Sequence, residues 1–270
     1  MTKMVKFQMI TVCCSLLFVS ACEQVAITGR KQFNLVPDMV MNSMSFQSYA
    51  EFLTQNKTKL SSSAQQVEMV KGIGLRIQKA VEQYCAENGL SPQLKGYNWE
   101  FNLVDDPNIN AWCMPGGKVV VYTGLLPISQ NEAGLAVVMG HEIAHAIAKH
   151  GAERMTQGLI IEMGGMALST ALAKRPEETK NLFMRSYGVG TQYGILLPYS
   201  RVHETEADHL GLIFMAMAGY DPHEAVGFWE RMTAANKGGS PPELLSTHPS
   251  DATRIKNIKA FMPEAMQYYH

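Results

Sequence analysis

Apolar positions change period along the chain, and each change predicts an element. An apolar run from Phe7 to Ala21 follows Lys3 and Lys6 and meets Cys22. It is shorter than the roughly 20 residues that span a bilayer and reads as an export signal over 1–21. Residues 22–36 show little periodicity and read as a tether, with 37–270 as a single domain. Pro37 opens a helix to about Asn56, and Val67, Val70, Gly74, Ile77, Val81 and Tyr84 recur at helical steps up to Asn88-Gly89. Alternation then takes over at Trp99, Phe101 and Leu103. With an extended Ala111–Met114, a turn at Pro115-Gly116-Gly117 and a β-branched run from Val119 to Tyr122, it predicts a three-stranded meander. Helices follow over about Gln130–Lys149, Glu153–Leu172, Ser200–Met217, from Asp221-Pro222 onward, and Ser250–Phe261. The charged Lys174–Lys180 stretch breaks the chain, Phe183–Tyr199 is aromatic and interrupted by glycine, and Lys237–Pro249 reads as a Gly/Pro loop.

Composition is that of an ordinary globular protein: 270 residues, 46% hydrophobic and 17% charged. A formal charge of −1 supplies no general attraction to phosphate backbones, so nucleic acid is not expected as a partner. The 18 methionines are dispersed and read as core filling. The apolar stretch from Leu159 to Leu168 is too short to span a membrane and reads as a buried helix.

His141-Glu142-Ile143-Ala144-His145 lies inside the pattern Leu135, Val138, Met139, Ile143, Ala146, Ile147. At about 100° per residue the two imidazoles stand one turn apart on one face and can share an ion. Glu142 is turned away from that face yet able to act as base on a water there. Unpaired imidazoles in so apolar a helix would be costly, which favours ligation. A catalytic zinc needs a third protein ligand, and Glu204 in the predicted Ser200–Met217 helix supplies it. Asp208, four residues on, can accept a hydrogen bond from a ligand imidazole and orient it. Glu206 falls on another face and is expected in solvent. His150 points off the ligand face and reads as a cation at a helix C-terminus. His203 reads as a surface or packing residue, and His209, His223 and His270 carry no pattern.

The motifs His-Glu-Ile-Ala-His and Ser-Arg-x-x-Glu-x-x-Ala-Asp, preceded by Asn110-Ala111-Trp112 and Pro115-Gly116-Gly117, resemble the metallopeptidases that include the CAAX prenyl proteases, HtpX and the mitochondrial Oma-type proteases. The resemblance runs over about Thr28 to Ile255. It implies an α+β fold, a mostly helical, gluzincin-like zincin domain with the meander beside the His141 helix. It implies one zinc on His141, His145 and Glu204, with Glu142 as catalytic base, and places His248 and Arg254 near the oxyanion. No long apolar spans match the integral-membrane relatives, so the chain resembles a soluble, lipid-anchored bacterial branch. Val19-Ser20-Ala21-Cys22 is similar to a lipobox, which makes Cys22 the lipidated residue, and Glu23 resembles the sorting residue of outer-membrane lipoproteins.

These readings predict a zinc endopeptidase on the periplasmic side of the outer membrane, acting on damaged or misassembled envelope proteins and touching the membrane through Cys22. The competing reading is an envelope assembly factor or chaperone-like lipoprotein with a latent metal site, against which Glu142 counts, since a structural zinc has no use for that carboxylate. Cys85 and Cys113 are the two thiols left over, and an exported protein is expected to bridge them. Substrate is expected to add as a strand along Asn110, Ala111, Trp112, Cys113 and Met114, because main-chain hydrogen bonds accept varied sequences. His248 sits on a loop as a competent fourth zinc ligand, so it either stabilises an oxyanion with Arg254 or latches the enzyme closed.

Overall fold

The computed structural model describes residues 22–25, 28–189, 200–235, 242–248 and 252–270. The expected export signal and parts of the 237–249 loop lie outside them. A small antiparallel hairpin, β1 (Cys22–Gln24) and β2 (Lys31–Phe33), leads into α1 (Asp38–Gln55) and α2 (Ala64–Glu87). Strands β3 (Glu100–Val104), β4 (Ala111–Met114) and β5 (Lys118–Tyr122) follow, then a short α3 (Leu126–Ser129) and the motif helix α4 (Glu132–Ile147), capped by the Asn131 side chain on Gly134 N–H. Beyond it come α5 (His150–Ile161), α6 (Leu168–Lys174), α7 (Pro176–Ser186), α8 (Arg201–Met217, capped by Ser200), α9 (Glu224–Ala235), α10 (Glu243–Thr247) and α11 (Ala252–Ala265).

The α+β class stands, but the sheet is not a meander. Its order is β3-β5-β4, with β3 parallel to β5 and β4 antiparallel to it. The hairpin β4–β5 is local, whereas β3 reaches the far side of β5 by passing β4, a non-local pairing that alternation alone does not encode. Both faces of the sheet are covered, which explains the unbroken apolar run in β5. Phe101, Leu103, Ala111, Cys113, Val119 and Val121 join the core of α2, α4 and α8. Trp112, Met114, Val120 and Tyr122 point the other way, against α1, α5 and α7.

Cys85 on α2 and Cys113 on β4 are buried free thiols, so the expected bridge is not formed. Both sit in the same apolar cluster, where burial pushes Cys85 up to about 11 and Cys113 well above the usual thiol range.

The expected Glu153–Leu172 helix is two helices, because Gly164 and Gly165 adopt positive φ between α5 and α6. Ile160 and Ile161 at the end of α5 are exposed rather than buried. Among the described residues no helix is long and apolar enough to cross a membrane. The charged stretch after Lys174 is itself helical, since Pro176 occupies the first turn of α7. Within the Gly/Pro loop, α10 forms and buries Leu244.

Two helices make the centre of the molecule. α4 and α8 cross backbone to backbone at Gly140 and Gly211: a Cβ on Gly140 would stand 3.0 Å from Gly211 O, and one on Gly211 would stand 2.9 Å from His141 N. That approach brings the imidazole face of α4 against the carboxylate face of α8.

Candidate metal centre

His141 and His145 on α4, Glu204 on α8 and His248 just after α10 each aim one donor atom at a common point, and all four are buried. His145 Nε2 is 3.0 Å from His141 Nε2 and 3.3 Å from Glu204 Oε1. His248 Nδ1 is 3.2 Å from His141 Nε2 and 2.9 Å from Glu204 Oε1, and Glu204 Oε2 is 3.5 Å from His141 Nε2. Four N and O donors around a tetrahedral zinc at its usual bond lengths lie about 3.4 Å from one another. The donor set is three imidazoles and one carboxylate, which suits zinc in number, type and spacing. Zinc is the cofactor of this chain.

The surroundings hold His145 and Glu204 in ligating form; burial and Arg254 work to lower His141, but hydrogen bonds to Asp208 and Glu204 outweigh them and raise it to about 9, so a metal there displaces a proton. Burial lowers the His145 pKa well below the ordinary imidazole range, which keeps the ring neutral. Burial alone would raise Glu204, yet the charges of His248 and Arg254 and hydrogen bonds from His141 and His145 keep it well below the carboxylate range. Asp208 Oδ1 accepts from His141 Nδ1 at 2.9 Å, leaving Nε2 for the metal, as its position four residues after Glu204 implies. Glu142 is buried beside the cage, 3.4 Å from His248 Nε2, and its Oε1 makes no hydrogen bond. Desolvation, the largest influence on it, raises its pKa above the ordinary carboxylate value.

Arg254 lies further from free than an oxyanion role suggests. Its Nε and Nη2 donate to Asp208 at 2.8 and 2.7 Å, its Nη1 stands 3.0 Å from Glu204 Oε2, and its guanidinium stacks on Trp229 at 3.3 Å. It clamps Glu204 and Asp208, two of the three carboxylates of α8.

Two expectations for polar residues change. His150 is not a cation at a helix C-terminus: α4 ends at Ile147, Lys149 turns left-handed (φ 57°), and the chain restarts as α5 with His150 as its first residue and the ring folded back, its Nδ1 2.8 Å from His145 Nδ1. Glu206 is not in solvent but buried, accepting from His150 Nε2 at 2.8 Å, from Arg30 Nε at 2.6 Å and from the Thr28 hydroxyl. Desolvation works to raise it, and those hydrogen bonds outweigh desolvation and hold it down to about 2. His203 does pack, stacked on His150 at 4.4 Å and bonded to Glu153 at 3.0 Å. His209 and His223 pair with Glu264 and Asp221 away from the centre. Spacing could not reveal His150 or Glu206, because one needs the break at Lys149 and the other an α8 covered on more than one side.

Ala111–Met114 forms β4 at the edge of the three-stranded sheet, alongside α4, with Asn110 directly before it, and all five side chains are buried. Asn110 Nδ2 is buried without a hydrogen bond.

Comparison with known proteins agrees with this geometry. The model of peptidase family M48 matches residues 75–262. The chain is 34% identical over 244 residues to the mitochondrial metalloendopeptidase OMA1 of Schizosaccharomyces pombe, covering 90% of this chain and 67% of that protein. It is 30% identical over 265 residues to OMA1 of Saccharomyces cerevisiae, covering 95% and 73%. The beta-barrel assembly-enhancing protease of Escherichia coli is 30% identical over 165 residues, 60% of this chain and 34% of that protein. The relatives matched over most of the chain are mitochondrial, which overturns the expected placement on the periplasmic side of an outer membrane.

Proposed function

Because the chain belongs to peptidase family M48 and is a zinc metalloendopeptidase, we propose that it cleaves damaged or misassembled polypeptides presented to the metal centre as extended strands. The observation that carries this reading is the buried four-donor cluster with Glu142 beside it, its Oε1 making no hydrogen bond. Zinc supplies the Lewis acidity that polarises a scissile carbonyl and acidifies water. Glu142 takes the proton that water gives up and returns it to the leaving amine. Asp208 and Arg254 keep His141 and Glu204 oriented.

Substrate lies along β4. Support comes from the edge position of that strand, its contact with α4 and the orphaned Asn110 Nδ2, a donor waiting for a carbonyl. His248 is the fourth donor of a closed site, and its arm is tied to the start of the same edge by Leu244 N–H donating to Ile109 O at 3.2 Å. A substrate strand and the His248 arm thus meet at one place, which supports the latch over the oxyanion role. The name of the Escherichia coli relative, a beta-barrel assembly-enhancing protease, supports a role in beta-barrel assembly.

The test is casein cleavage with zinc content measured on the same protein. Glu142→Gln should lose at least about 10²- to 10⁴-fold in turnover while keeping one zinc per chain. Full activity in that variant would remove Glu142 from the mechanism.

A further inference from the structure

A histidine that ligates through Nε2 carries its remaining proton on Nδ1 and needs an acceptor there, ordinarily a carboxylate or a carbonyl. For His141 the acceptor is Asp208. For His145 it is another imidazole, the Nδ1 of His150 at 2.8 Å, in a position where His150 is fully buried. Accepting on Nδ1 fixes His150 as the Nε2–H tautomer, and that proton is donated to Glu206 Oε2 at 2.8 Å. The carboxylate that would usually touch the ligand imidazole therefore reaches it through one intervening ring.

The outer end of this relay is held from a distant part of the chain. Arg30, in the turn between β1 and β2, donates to Glu206 at 2.6 Å and to Glu153 at 2.9 Å, and the Thr28 hydroxyl also donates to Glu206. His203 closes the other side, stacked at 20° to the His150 ring and bonded to Glu153. Each polar link in the chain Arg30–Glu206–His150–His145 has a donor facing an acceptor, and Glu206 and His150 are buried. A satisfied polar chain in such surroundings fixes orientation strongly.

We propose that His150 and Glu206 are positioning residues that set the ring of zinc ligand His145, with Arg30 making the β1–β2 hairpin an outer part of the metal centre. This rests on the assignment of His145 as a ligand. His145→Ala is therefore the reference: if it binds zinc as the wild type does, the ligand reading fails, independently of the relay.

The experiment measures zinc affinity of the full chain by chelator competition and the visible absorption of the cobalt-substituted protein. His150→Leu and Glu206→Leu should each weaken zinc by about 10- to 100-fold and alter the cobalt spectrum. The double variant should be little worse than either alone, because both cut one chain. His150→Gln can accept from His145 and donate to Glu206, so it should restore most of the affinity, and it keeps the test available if the Leu variants fail to fold. Arg30→Met should weaken zinc in the same direction and by less. Wild-type zinc affinity and cobalt spectrum in both Leu variants would overturn the proposal, as would a Gln variant as impaired as Leu, which would reduce His150 to packing.

Discussion

Replacing Arg254 with Met tests what its guanidinium does. Arg254 is 5% exposed, bidentate on Asp208 at 2.8 and 2.7 Å, 3.0 Å from Glu204, and stacked on Trp229. Met keeps apolar contact with Trp229 but leaves two buried carboxylates with one positive charge fewer. Removing one partner of a buried ion pair costs about 3–5 kcal/mol. At about 2–4 °C per kcal/mol for a protein of this size, the metal-free variant should melt about 6–20 °C below the metal-free wild type. Zinc brings two positive charges to the same carboxylates, so the gap should narrow at saturating metal. Adding Asp208→Asn should recover part of the loss, since the amide oxygen still accepts from His141 without a charge. Thermal melts in chelator and in excess zinc read all of this. A metal-free Arg254→Met melting within about 2 °C of wild type would refute the clamp, and a gap that widens with zinc would move Arg254 from the carboxylates to the metal chemistry.

Glu204→Ala should lose zinc outright, whereas Asp208→Ala should retain a site weaker by about 10- to 100-fold, and zinc titration that finds the two alike would undo the division of roles. His248→Ala should raise peptide cleavage at saturating zinc by about tenfold, the gain expected when the closed form holds about 90% of molecules; a fall in kcat with zinc retained would place His248 at the oxyanion instead. Glu243, at the start of α10, is raised from 4.5 to about 7 by desolvation and by Asp106. Its folded form binds the proton more tightly than the unfolded chain, so its stabilising share is complete below 4.5 and is lost as pH rises through about 7. Glu243→Gln should flatten the fall of melting temperature across that window, and an unchanged slope would show that Glu243 does not carry it.

What the sequence discloses follows the range of the interactions. His141, Glu142, His145, Glu204 and Asp208 are legible because each relation lies within two turns of one helix, where period alone sets direction. The crossing of α4 and α8 that joins them is prepared locally too, by a Gly directly before His141 and another three residues after Asp208. The order β3-β5-β4 is not legible, since a parallel pair depends on a chain reversal no local pattern encodes. His150 is hidden for a subtler reason: Lys149, a residue with no marked preference for positive φ, takes the left-handed turn that swings the ring back. Cys85 and Cys113 satisfy the arithmetic of pairing and fail on their surroundings, which only the packed core reveals.

The contact of Gly140 with Gly211 sets how the protein exchanges its ion. Two helices touching through their backbones cannot close further, and the His141–Asp208 pair between them resists their parting, so the donor cage keeps its dimensions. Loading is then the filling of a rigid socket. A chelator should strip the enzyme to a folded, refillable form, with far-UV circular dichroism unchanged, and activity should return on adding zinc without a refolding delay. The same rigidity slows departure, because the ion must shed its donors one by one with no opening of the helix pair to help it. Alanine at either glycine would spread the pair, and the loss should appear first as a faster zinc off-rate and only later as a lower melting temperature.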